Sequence, residues 1–107
     1  MTTEVEKLMT FIRGNVARRT QKFEVCLTDR FMFANFMSDG ISGMFLQELS
    51  EFMCSFGYSV RVEYNHWHSA SFAMFTLDRE PTDYATQNEL ANLKMKYLMS
   101  SGTGLYT

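Results

Sequence analysis

The sequence predicts an α+β fold in the order α-ββα-ββα, with a four-stranded antiparallel sheet and helices packed mainly on one of its faces. Three observations predict it. Apolar residues recur at helical spacing near both ends and in the middle of the chain, they alternate with a period of two in between, and turn-forming residues separate the segments. At 107 residues the chain fits a single domain over 1–107, with 102–107 expected as a flexible C-terminal tail.

Thr3 and Glu6 form a capping-box pattern, and Val5, Leu8, Met9, Ile12 and Val16 follow at helical intervals. A first helix is therefore expected from Glu4 toward Arg18. In "KFEVCL", residues 22–27, Phe23, Val25 and Leu27 alternate with Lys22, Glu24 and Cys26, as in a half-buried strand. "TDR" reads as a turn and "RFMFANFM", residues 30–37, as the return strand of a hairpin. Such a strand would place Phe31 and Phe33 on one face, and Met32 and Phe36 on the other.

Two glycines in "SDGISG" break the chain. Phe45, Leu46, Leu49, Phe52, Met53 and Phe56 then draw the apolar stripe of a helix over about 42–56, with Gly57 as its left-handed stop. "YSVRVEY" alternates again, "NHWHS" turns the chain, and "ASFAMFTL" returns as a strand that is apolar on both faces. Thr82 is placed to cap a final helix, with Asp83 in its first turn and Leu90, Leu93 and Tyr97 along one row.

Composition narrows the function classes. The 46% apolar share and single proline do not suit a disordered chain, and no run of eighteen apolar residues could cross a membrane. The acidic start "MTTEVEKL" lacks the basic-then-apolar order of a signal peptide, so a cytoplasmic location is expected. Cys26 and Cys54 belong to no CxxC pair and read as reduced, buried small hydrophobes, although a disulfide between them stays open. The formal net charge is −2, with basic residues gathered before residue 31 and Arg61 and Arg79 the only Lys or Arg from 31 to 93.

Chemistry-bearing motifs are sparse. His66 and His68 flank Trp67 and could share one side of a strand, but a metal would need a third ligand, for which Glu63 and Asp78 are the candidates. No metal or other cofactor is expected. Neither cysteine has a histidine near it in sequence, and "MSDGISGM" lacks the spacing of a phosphate-binding loop, so no enzymatic activity is expected either.

A binding protein remains. The expectation is a small cytoplasmic protein-binding module, acting by stoichiometric contact in the manner of a viral or mobile-element inhibitor of a host factor. Its partner surface would comprise Trp67 with His66 and His68, and the acidic residues Asp78, Glu80 and Asp83. If every helix lies on one side of the sheet, Met32, Phe36, Phe72 and Met74 point away from them. Either a second copy covers that face, as in a homodimer, or the first helix crosses behind it. The alternative function is nucleic-acid binding through Arg13, Arg18, Arg19 and Lys22.

Overall fold

The computed structural model describes residues 3–36 and 41–99. It is an α+β arrangement of four helices and a three-stranded antiparallel sheet. In chain order the elements are α1 (Glu4–Ala17), β1 (Lys22–Thr28), α2 (Asp29–Phe36), α3 (Ile41–Ser55), β2 (Tyr58–Asn65), β3 (Ala70–Leu77) and α4 (Tyr84–Lys94). A π-helical turn, Met95–Met99, extends α4. The strand order is β1-β3-β2, so the β2–β3 hairpin contributes the central strand and β1 pairs along its far side.

The expected fourth strand is a helix instead. Thr28 ends β1 and its hydroxyl accepts the Phe31 N–H at 3.0 Å, capping α2 at the point where a hairpin turn was expected. Once the segment is helical, the neighbours Phe31 and Met32 both pack against the core, which strand alternation forbids, while Phe33 is 68% exposed. Met32 therefore does not face outward. The side chain of Phe36, and the tail from 102 onward, lie outside the described residues.

α1 begins at the expected capping box, with Thr3 and Glu6 exchanging side-chain-to-backbone hydrogen bonds of 2.8 and 3.0 Å. Its end is a Schellman motif. Arg19 occupies the left-handed position at φ 55°, its N–H donates to Val16 O, and Thr20 N–H donates to Asn15 O. α3 ends at Gly57, whose φ of 93° favours glycine; a Cβ there would lie 1.8 Å from Arg79 O. The Gly57 carbonyl in turn accepts the N–H groups of Asp78 and Arg79. α4 is capped by Asp83 rather than Thr82, one residue later than expected.

Strand alternation assigns the two faces of the sheet. Phe23, Val25 and Leu27 of β1, Ala73, Phe75 and Leu77 of β3, and Tyr58 and Val60 of β2 share one face with Ile12 and Val16 of α1, Phe31 and Met32 of α2, Leu49 and Met53 of α3, and Leu90 of α4. All four helices thus pack on the same side. α1 does not cross behind the sheet.

Candidate functional site

The hairpin tip is built by one asparagine. Asn65, the last residue of β2, accepts the N–H groups of Trp67 and His68 on its side-chain Oδ1 at 2.9 and 3.2 Å, while its main-chain carbonyl takes His68 N–H as well. This side-chain-to-backbone turn fixes His66–Ser69, and Ser69 completes it in the left-handed region at φ 49°. Asp29 braces the turn from outside. Its N–H donates to Ser69 O at 2.7 Å, and its carboxylate accepts the Tyr64 hydroxyl at 2.7 Å, a bond that raises the Tyr64 pKa above the ordinary phenol value.

On that braced turn Trp67 is 85% exposed, the most exposed large apolar side chain among the described residues. His66 stacks against it, with ring centroids 5.1 Å apart, and His68 meets Phe72 edge-on at 6.0 Å. The two histidines therefore lean on different aromatic rings. Among the described residues no three His, Cys, Asp or Glu side chains converge as a metal cluster. Val62 and Tyr64 lie on the helix side of β2 yet stay exposed, so the outer half of the hairpin projects past the helical layer.

The acidic residues expected beside Trp67 are elsewhere. β3 runs from the tip to Leu77, about 23 Å at strand rise, so Asp78, Glu80 and Asp83 follow its opposite end. Two of them are engaged within the fold. Glu80 pairs with Arg19 at 3.0 Å, and Asp83 caps α4, where hydrogen bonds from Thr86, side chain and backbone, hold its carboxyl below the usual range. Asp78 is exposed and gives its N–H to Gly57 O.

The four bases of the nucleic-acid alternative do not form one surface either. Arg19 turns inward, its side chain only 13% exposed. Its Nη2 donates to Phe56 O at 2.9 Å and pairs with Glu80, and the guanidinium lies 5.5 Å from the centre of the Tyr58 ring. Tyr58 is itself buried, donating to Thr20 O at 2.7 Å, and burial raises its pKa. Arg13 lines a groove with Glu6, Met9 and Tyr97, and Arg18 is exposed at the end of α1. Lys22 stands on the face of the sheet that no helix covers.

That uncovered face has a defined pattern. From one edge to the other its rows read Lys22, Thr76, Ser59; Glu24, Met74, Arg61; Cys26, Phe72, Glu63; and Thr28, Ala70, Asn65. Phe72 and Met74, expected to face outward, do so along its middle and are half-buried by their neighbours. Cys26 is exposed here and Cys54 is exposed on α3; both are free. The expectation of buried cysteines fails because Cys26 faces the side without helices and Cys54 lies off the apolar stripe of α3. Sequence reasoning placed Asn65 and Asp29 in the turn segments "NHWHS" and "TDR" but gave neither a role in bracing the tip.

Compared with models of protein families, with curated proteins and with solved structures, the chain matches none.

Proposed function

We propose that this protein is a non-enzymatic binding module that acts by stoichiometric contact with another protein, in the manner of an inhibitor, and that its anchor is Trp67. One observation carries the reading: the single tryptophan of the chain is held out to solvent on a turn that Asn65 and Asp29 fix from both sides. An indole carried on a turn whose backbone is already fixed requires little further ordering of the chain when a pocket encloses it, and tryptophan is enriched among residues that dominate binding energy. His66, stacked beside it, extends the aromatic surface. The acidic stretch 78–83 drops out of this anchor, because it follows the other end of β3 and two of its carboxylates are already engaged.

Affinity capture from a host lysate tests the proposal when wild-type and Trp67→Ala protein are compared, each with and without nuclease. The expected result is a protein retained by wild type in both samples and lost with Trp67→Ala. Retention that disappears with nuclease would instead favour nucleic acid, for which Arg18 and Lys22 are exposed while Arg13 and Arg19 are partly buried.

A further inference from the structure

We infer that the uncovered sheet face binds a second copy of this chain across a two-fold axis lying along β3. All four helices pack on the opposite side, and the face carries Phe72 and Met74 along its middle between two charged edges. Those charged edges also disfavour extension by edge-to-edge strand pairing.

The choice of occupant comes from the charges. The row Glu24, Met74, Arg61 has an acid at one edge, an apolar side chain at the centre and a base at the other edge. A two-fold axis along the central strand exchanges the edges and keeps the rows. Glu24 of one protomer then meets Arg61 of the other, twice, while Met74 and Phe72 meet their own copies at the axis. Next to Glu24 on its own strand stands Lys22, and next to Arg61 stands Glu63, so the line across the interface reads base, acid, base, acid and is neutral. Arg61 pairs with Glu63 in the free protomer, at a site where both side chains are largely exposed. Such a pair is weak and leaves Arg61 able to bridge Glu63 and the facing Glu24.

The symmetry has a functional consequence. An axis parallel to β3 puts both 66–69 turns at the same end of the dimer, with the two sheets about 10 Å apart. Two Trp67 anchors side by side would engage a repeated or dimeric partner with the gain that linkage gives to a second contact. The dimer itself does not depend on the Trp67 reading, and its test uses no partner.

Sedimentation analysis of the purified full chain decides the matter. Wild type is expected at twice the 12.5 kDa protomer mass. Glu24→Arg and Arg61→Glu should each weaken self-association by about tenfold or more, because each places like charges together twice. The double variant, Glu24→Arg with Arg61→Glu, restores the pairing with its polarity reversed and should restore the dimer. Circular dichroism checks that all three variants fold, which their exposed positions favour. A monomeric wild type, single variants that remain dimeric, or a double variant that stays monomeric would each overturn the inference.

Discussion

Arg19 shows how a residue that looks available in sequence can be consumed by the fold. It occupies a left-handed position where glycine is the usual choice, and its guanidinium ties the end of α1 to Phe56 O, Glu80 and the Tyr58 ring. Arg19→Ala is therefore expected to cost about 1.5–3 kcal/mol in chemical denaturation, the range for a charge-assisted hydrogen-bonded group. Arg19→Gly should cost about 1 kcal/mol less, because glycine relieves the backbone while losing the same contacts. Gly57→Ala makes the opposite error, driving a Cβ into Arg79 O, and a loss of about 3 kcal/mol or more is expected. Tyr58 adds a pH dependence. Burial raises its folded pKa above the unfolded value, so its contribution is complete below about pH 10 and declines as pH rises through the folded value. Tyr64 shifts the same way through Asp29, so denaturation of Tyr58→Phe at alkaline pH should retain only part of the wild-type decline.

At the scale of elements, the sequence was legible wherever its hydrophobic period was clear. β1 and β2 alternate, α3 carries an unbroken helical stripe, and all three form where expected. The segment 29–36 was not legible in that way, because its apolar residues fit both periods: Phe31 and Phe33 share a strand face, while Met32 and Phe36 stand at helical spacing. Thr28 decides it by capping, a local signal hidden beneath apolar residues that read as a strand. Thr28→Ala should accordingly destabilise the protein by about 1 kcal/mol by denaturation, as loss of a helix cap does. A hairpin turn at the same place would have made that hydroxyl dispensable. Without this fourth strand, β1 pairs with β3, and the sheet is narrower than its apolar content suggested.

The whole molecule separates what holds the fold from what faces outward. Arg19, Glu80, Asp83 and Tyr58 fasten the end of the sheet where β3 leaves, whereas the other end presents Trp67, His66 and His68 on a braced turn. That Trp67 sits at a hairpin tip was legible from its place in a turn sequence; that its ring stands out to solvent instead of folding back over the sheet edge was not. The separation of Trp67 from the acidic stretch was not, because it depends on the length of β3 between them. Fluorine NMR of protein labelled with 5-fluorotryptophan reports on Trp67 alone, since it is the single tryptophan of the chain. In nuclease-treated host lysate, binding of a partner should shift or broaden its resonance away from the solvent-exposed position found for the purified protein. A resonance that stays in place while the same lysate yields a specifically captured protein would contradict the assignment of Trp67 as the anchor.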